Sequence, residues 1–326
     1  MGDVMGLFKT NEINSITVYT GEKGSESCLC KCPICSQKGS TSKYQGTNEQ
    51  IDELFRIFPN LKQTYILGNP DPAVDTKYCN KLSLKAIESG SNVCYSTSGI
   101  GGIKTLKTLL KDIKPENVDY VSFSIDSVDK MKMNLLKGVN YPFDKAIDGI
   151  KWAQDSGYKI KIQPTLWSCN YLEAYSIVKY FSQMDIQDFS FHVGSVEKGC
   201  LPTHQHLTEE EIKNVHLQLD NIYKQFPKDH ISCPVIYPSL GIKDDTRWYC
   251  MHPENNRAWL VFLRQNGIYG TNIPIASEID EQNIFEIKEE CDVYINPVPE
   301  QDYCPISKYT SNNPKTLCRY IVKKWN

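Results

Sequence analysis

The stretch CLCKCPIC at residues 28–35 follows an apolar run, Ile16–Tyr19, that is a predicted β-strand. Within this stretch, Cys28, Cys32 and Cys35 have the spacing C-x3-C-x2-C. Three thiolates this close together on a loop can bind three iron atoms of a cubic iron–sulfur cluster and leave the fourth iron open to another ligand. A zinc site that used all four thiols would be cramped, because zinc sites usually pair two separated cysteine hairpins. The spacing therefore favours a [4Fe-4S] cluster over zinc.

The composition excludes several classes of function. The chain has 326 residues, of which 40% are hydrophobic and 23% charged, as in ordinary globular proteins. With 36 basic and 39 acidic residues the net charge is −3, which gives no electrostatic case for a nucleic-acid partner. We find no apolar run of membrane-spanning length and no signal-peptide pattern, and so expect a cytoplasmic protein. Thirteen cysteines in a reducing compartment then indicate metal or thiol chemistry rather than disulfides.

Short apolar runs alternate with amphipathic segments as far as residue 225. The predicted strands are Ile16–Tyr19, Gln63–Leu67, Asn92–Ser96, Tyr120–Ile125, Lys159–Pro164 and Asp188–Val193. The predicted helices lie near residues 51–58, 75–89, 103–113, 142–156, 170–183 and 208–225. This alternation predicts parallel strands with right-handed crossovers. Because a full eight-unit barrel usually needs about 250 residues, we predict an α/β fold with a partial (βα)6 TIM-type barrel and a site at the carboxyl ends of its strands.

The pattern changes at about residue 226, where prolines and glycines interrupt the chain. The apolar runs Ala258–Leu263 and Ile268–Ile273 flank Asn266 and Gly267, and Asn-Gly between such runs is the strongest short-range signal for a β-hairpin. We therefore divide the chain into a barrel over residues 1–225 and a small cysteine-containing module over residues 226–326.

Four features in chain order resemble the radical S-adenosylmethionine (radical SAM) superfamily over roughly residues 14–225. The cysteine stretch follows the first strand, as in that family. The second strand ends in LGNPDP at residues 67–72, where the family usually has Gly-Gly-Glu-Pro. The third ends in TSG at residues 97–99, similar to Thr-Asn-Gly, and the fourth ends in Ser124–Asp126, similar to Ser-x-Asp. Each feature falls at the carboxyl end of a predicted strand.

The resemblance implies a [4Fe-4S] cluster on Cys28, Cys32 and Cys35, with S-adenosylmethionine at its open iron. Reductive cleavage of this cofactor would yield a 5′-deoxyadenosyl radical that abstracts a C–H hydrogen, with electrons from a flavodoxin- or ferredoxin-type donor. Asn69 and Asp71 stand where the family has one Glu, so either could contact the methionine amino group. The cofactor-binding residues that we expect, including two at the ends of the fifth and sixth strands, are Gly68, Asn69, Asp71, Ser98, Ser124, Asp126, Gln163 and His192.

The C-terminal module has two interpretations. Many relatives carry auxiliary iron–sulfur clusters in a SPASM or twitch extension built around a β-hairpin, and Cys291, Cys304 and Cys318 could bind a second cluster together with an upstream cysteine. The module departs from that pattern, since Asn272 stands where the second cysteine is expected and the closely spaced run of cysteines is missing. The alternative is a small domain with unrelated thiols.

The role of Cys250 differs between the net reactions that the resemblance allows. As a hydrogen-atom donor to a substrate radical, it would make the chain an epimerase in natural-product biosynthesis, acting on a sugar or a peptide. As a ligand of an auxiliary cluster, it would fit dehydrogenation or cross-linking of a peptide; it could also be inert. We take the epimerase as the leading hypothesis, with the oxidation as the alternative. An inactive metal-binding scaffold is the hypothesis from another class.

Overall fold

The computed structural model describes residues 13–20, 28–33, 46–68, 71–193 and 207–226, together with short strands in the rest of the chain. The strands are β1 (Gly6–Phe8), β2 (Ser15–Tyr19), β3 (Gln63–Gly68), β4 (Asn92–Thr97), β5 (Val118–Phe123), β6 (Ile160–Ile162), β7 (Thr165–Leu166), β8 (Asp188–Ser190), β9 (His192–Val193), β10 (His230–Ser232), β11 (Trp248–Cys250), β12 (Ala258–Arg264), β13 (Gly267–Thr271), β14 (Phe285–Glu286), β15 (Val293–Ile295) and β16 (Ile321–Lys323). The helices are α1 (Asn48–Ile57), α2 (Thr76–Glu88), α3 (Gly102–Leu109), α4 (Lys130–Lys137), α5 (Phe143–Asp155), α6 (Ala174–Ser182) and α7 (Glu209–Gln225), with 3-10 turns at Pro115–Asn117 and Tyr171–Glu173.

A ten-stranded sheet organises the molecule, in the order β10-β8-β6-β5-β4-β3-β2-β12-β13-β14. The six predicted barrel strands, now β2, β3, β4, β5, β6 and β8, are neighbours in it and pair in parallel. β10 extends the parallel sheet beside β8, and β12 extends it beside β2. The predicted α/β fold with a partial barrel is confirmed.

The fifth and sixth strands of the main sheet each end earlier than predicted. β6 ends at Ile162 and β7 begins at Thr165, because Pro164 between them has no N–H to donate to the sheet. The Pro164 carbonyl instead accepts a hydrogen bond from the His192 backbone N–H at 2.8 Å. β7 and β9 pair with each other in a separate parallel ladder. The predicted strand Lys159–Pro164 was therefore too long, and the predicted strand Asp188–Val193 is divided into β8 and β9.

The helices begin and end largely where their caps predict. Thr47 and Thr208 form capping boxes at the starts of α1 and α7, as the sequence indicates. The sequence pattern missed α4, which follows β5. The Asp129 carboxylate caps α4 by accepting from two backbone N–H groups, and Gly138 ends it in the left-handed conformation.

The two faces of the barrel sheet differ in chemistry. The outer face, which meets the helices, consists of fully buried and mostly apolar side chains, including those of Ile16, Val18, Ile66, Val121 and Phe123. Burying this face against amphipathic helices supplies most of the driving force for folding. The inner face carries polar side chains that are largely half-buried.

The predicted hairpin is present as β12 and β13, which pair from Leu260 opposite Thr271 to Arg264 opposite Gly267. β12 also pairs with β2, so the hairpin continues the sheet of the barrel. The division of the chain at residue 225 stays a prediction. None of the described helices combines the length and apolar character of a membrane-spanning segment.

Candidate functional site

The candidate site lies where the parallel strands of the barrel end. The cysteine-rich loop follows β2, Asp71 follows β3 and Ser98 follows β4. Asp126 follows β5, and His192 begins β9 just beyond the end of β8. Since carboxyl ends of parallel strands meet at one edge of a sheet, these groups share one end of the barrel.

The cysteine loop, residues 28–33, docks on the end of α4. The Lys31 backbone N–H donates to the Lys137 carbonyl at 2.8 Å. Gly138 has a φ of 63°, and a Cβ at this position would lie 2.1 Å from the Lys31 carbonyl oxygen. Only a residue without a side chain allows the loop to approach α4 this closely. The backbone therefore holds the loop against the barrel without the help of its thiols.

The thiols of the cysteine loop lie side by side. Cys28 and Cys32 are half-buried against the core and Cys30 is buried between them. Hydrogen bonding to Cys30 lowers the pKa of the Cys28 thiol, while the same bond raises the pKa of Cys30 to about 11. Hydrogen bonding to Cys30 and burial raise the pKa of Cys32. A sulfur-rich, partly shielded loop of this kind suits an iron–sulfur cluster, which binds thiolates rather than thiols.

Cys35, the third predicted ligand, lies outside the described residues. Within residues that are described, no three His, Cys, Asp or Glu side chains are grouped so that they could hold a metal ion. The fit of the site to a cluster therefore rests on the docked loop and on the half-buried thiols of Cys28 and Cys32.

Asp71 joins the ends of β3 and β4. Its carboxylate accepts hydrogen bonds from the Thr97 hydroxyl at 2.9 Å, the Ser98 backbone N–H at 2.7 Å and the Ala73 backbone N–H at 2.8 Å. Both carboxylate oxygens are thus engaged by the protein, and the side chain is buried. Gly68 ends β3, opposite Tyr19 of β2.

Asp126 is the centre of a buried network at the end of β5. One of its carboxylate oxygens accepts from Lys137 Nζ at 2.7 Å, and the other accepts from the Thr165 backbone N–H at 2.8 Å. Burial alone would lower the pKa of Lys137, but the negative charge of Asp126 and the hydrogen bond to it raise the pKa, so the ammonium stays protonated. Asn170 Nδ2 donates to the Asp126 carbonyl at 2.7 Å.

Lys137 is a candidate that the sequence analysis missed. It is a buried cation whose positive charge acts to lower the pKa of both Cys30 and Cys32. Its position at the end of α4, directly before Gly138, was the available signal, but α4 itself was not predicted. The half-buried Ser124, by contrast, lies where the strand pattern expects it, and its backbone N–H donates to the Thr97 carbonyl at 2.9 Å.

Gln163 and His192 form a hydrogen-bonded pair beside this network. The Ser122 hydroxyl donates to Gln163 Oε1 at 2.6 Å, and Gln163 Nε2 lies 2.7 Å from His192 Nε2. Burial and the nearby charge of Lys161 lower the pKa of His192 to about 4. The imidazole is therefore neutral near pH 7. Because the amide nitrogen of Gln163 can only donate, His192 Nε2 carries the lone pair and Nδ1 the hydrogen.

Other predicted residues lie outside the described part of the chain. The backbone of Cys250 ends β11, which pairs with β16, and its side chain is not among those described. The predicted site residues that lie outside the described residues are Cys35, Asn69, Cys291, Cys304 and Cys318.

Comparison with known proteins now identifies the domain. Residues 24–167 match a family model described as the Radical SAM superfamily. The chain contains a radical SAM domain. The radical SAM domain implies a [4Fe-4S] cluster and S-adenosylmethionine as cofactors. A search of curated protein sequences found no match.

Solved structures share the fold of this chain. SuiB from Streptococcus suis, bound to S-adenosylmethionine, matches with a TM-score of 0.60 and 16% identity, over 78% of this chain and 59% of that chain. A histidine-tagged form of anSMEcpe with bound AdoMet matches with a TM-score of 0.62 and 16% identity, over 84% of this chain and 77% of that chain. This chain thus spans 59% of the length of SuiB. At such identities the likeness shows the fold alone.

Proposed function

We propose that this radical SAM chain cleaves S-adenosylmethionine reductively and abstracts a hydrogen atom from a C–H bond of a peptide or small-molecule substrate. The observation that carries the proposal is the docking of the cysteine loop on α4, directly beside the buried Lys137–Asp126 pair at the carboxyl ends of the strands. When bound, the cluster and S-adenosylmethionine supply a carbon-centred radical, and the barrel wall shields the reacting groups from water.

We assign cluster binding to Cys28, Cys32 and Cys35. Cys30 is the buried thiol between the first two, and we treat it as a neighbour rather than a ligand. The Lys137 ammonium lies beside this loop, where it offers a buried positive charge to an anionic group of the cofactor.

The residues at the strand ends supply the remaining cofactor contacts in this proposal. Gly68 lets the backbone approach the cofactor closely, and either Asn69 or Asp71 contacts the methionine amino group. Because Asp71 already accepts three hydrogen bonds from the protein, we favour for it the positioning of Ser98. The remaining residues that we assign to the nucleoside part are Ser124, Asp126, Gln163 and His192.

A peptide is the substrate class that we favour. SuiB has been solved bound to its precursor peptide SuiA, and that structure matches with a TM-score of 0.58 at 17% identity, over 79% of this chain and 60% of that chain. Native anSMEcpe has been solved with the Kp18Cys peptide, at a TM-score of 0.53. The polar and half-buried inner face of the barrel is compatible with a peptide backbone or polar side chain. We further propose that a flavodoxin- or ferredoxin-type protein supplies the electron.

For the net reaction we keep epimerisation with Cys250 as hydrogen donor, and oxidation with an auxiliary cluster as the alternative. The two differ in the number of iron atoms per chain. A single cluster leaves Cys250 available as a donor, whereas a second cluster in the C-terminal module would bind cysteines such as Cys291, Cys304 and Cys318.

The test is iron and sulfide content, and dithionite-dependent formation of 5′-deoxyadenosine, after anaerobic reconstitution. Wild type should bind about four irons for a single cluster. A triple Ala variant of Cys28, Cys32 and Cys35 should bind none and should not form 5′-deoxyadenosine. The control variants Cys169→Ala and Cys250→Ala should keep the cluster and the cleavage.

Each other outcome has a defined meaning. About eight irons in wild type and about four in the triple variant would favour the oxidative alternative. Zinc without iron in wild type would contradict the enzyme proposal and favour a metal-binding scaffold.

A further inference from the structure

The inner face of the barrel is polar and partly accessible well below the site at the strand ends. One row of neighbouring inner-face residues crosses the sheet from β2 to β5. It consists of Thr17, Tyr65, Cys94 and Tyr120. All but Cys94 are half-buried. A closed barrel of this type is filled with branched apolar side chains, so a polar and half-buried lining indicates a chamber rather than a packed core.

Lys161 lies on the same inner face, opposite Ser122 in the register of β5 and β6, and brings a positive charge into the chamber. Its Nζ lies 3.7 Å from the centroid of the Tyr120 ring and 3.6 Å from Asp188 Oδ2 on β8. The side chain is only 18% exposed. A distance of 3.6 Å is too long for a direct hydrogen bond, so the contact with Asp188 is electrostatic. Among the described residues, this leaves the ammonium hydrogens available to another acceptor.

The neighbours of Lys161 add further donors and few competing charges. Lys161 is close enough to His192 for its charge to act on that imidazole, which carries its hydrogen on Nδ1. A second carboxylate on this face among the described residues, Asp119, accepts from Gln63 Nε2 at 2.5 Å and Asn92 Nδ2 at 2.7 Å. The Asp119 carboxylate is therefore already hydrogen-bonded by two neutral amides, and within the described part of the chain it forms no ion pair with Lys161.

We propose that Lys161 is the anchor for a carboxylate group of the substrate, bound inside the chamber between Tyr120 and His192. The proposal rests on the function proposed above, because it takes the inner face of the barrel as the substrate chamber. A carboxylate fits because it is a small planar acceptor for an ammonium held over an aromatic ring. The substrate would be an acidic peptide or a free carboxylic acid, and the two are separated by the choice of probe.

Calorimetric titration of the reconstituted full chain with S-adenosylmethionine bound tests the proposal. The free-acid probes are glutarate, its neutral analogue glutaramide and the cation 1,5-diaminopentane. The peptide probes are acetyl-Ala-Glu-Ala-amide and its Gln counterpart. We expect at least one carboxylate probe to bind, its neutral partner to bind about tenfold more weakly, and Lys161→Met to weaken carboxylate binding by about tenfold or more.

Two variants serve as controls. Lys159→Met makes the same change at an exposed lysine two residues earlier, and should bind the probes as wild type does. Asp188→Asn removes the negative charge next to Lys161, so carboxylate binding should become tighter. The Asp188 variant keeps the test decisive if Lys161→Met does not fold.

Several results would overturn the proposal. These are carboxylate binding that survives Lys161→Met, no binding of either carboxylate probe, or binding of 1,5-diaminopentane that is lost in Asp188→Asn. Formation of 5′-deoxyadenosine without substrate should be the same in the control Lys159→Met and wild type. A chain that fails to cleave S-adenosylmethionine but binds glutarate through Lys161 would contradict the proposed function and leave the carboxylate anchor standing.

Discussion

The buried charges of Lys137 and Asp126 at the candidate site are paired with each other, so neither residue can be changed without affecting the other. The Lys137 ammonium and the Asp126 carboxylate lie 2.7 Å apart with side chains 6% and 5% exposed. Removing one partner of such a pair leaves an uncompensated charge in a medium of low dielectric constant. Lys137 and Asp126 therefore act as a unit, and a loss of activity on changing either one reports on folding as well as on cofactor binding.

His192 is buried in its neutral form, which makes stability depend on pH. An unfolded histidine has a pKa of about 6.5, whereas the pKa of His192 in the fold is lowered to about 4 by burial and by Lys161. Below pH 6.5 the unfolded chain binds the extra proton, so stability falls as the pH falls towards 4. Between pH 7 and pH 5 wild type should lose about 1 to 2 kcal/mol more than His192→Gln does in urea unfolding. Equal losses in the two proteins would contradict the buried neutral imidazole.

The contact between the cysteine loop and α4 depends on Gly138. An Ala at 138 would be strained at a φ of 63° and would place its Cβ 2.1 Å from the Lys31 carbonyl oxygen, so the loop must move. We expect Gly138→Ala to retain less iron after anaerobic reconstitution. Gly90→Ala is the matched control, since Gly90 has a φ of 86° with nothing within 4 Å of an added Cβ. Equal iron content in the two variants would show that the loop does not need this contact.

Helix α4 is an element that could not be predicted from the sequence, and its apolar pattern shows why. Met133 and Leu136 are buried, but Met131 and Leu135 are 75% and 44% exposed, so apolar residues lie on both sides of the helix and hide its amphipathic period. Its cap at Asp129 was the remaining signal. The strand ends were predictable, because apolar runs mark each strand and the polar residues that follow must share one edge. Lys137, which belongs to an unpredicted helix, was therefore missed.

For the molecule as a whole, the pairing of β12 with β2 decides whether the barrel can fold without the C-terminal module. Residues 1–225 alone would expose β2 as an open edge and remove Leu263, a fully buried side chain that packs on Gly46. We therefore expect a chain cut after residue 225 to aggregate, and a chain cut after residue 290, which keeps β12, β13 and β14, to have the same oligomeric state as the full chain. Size-exclusion chromatography with light scattering and thermal unfolding by circular dichroism make the comparison. If the shorter chain stays monomeric and unfolds at the same temperature as the full chain, the division at residue 225 marks an independent domain, and β12 adds no stability to the barrel.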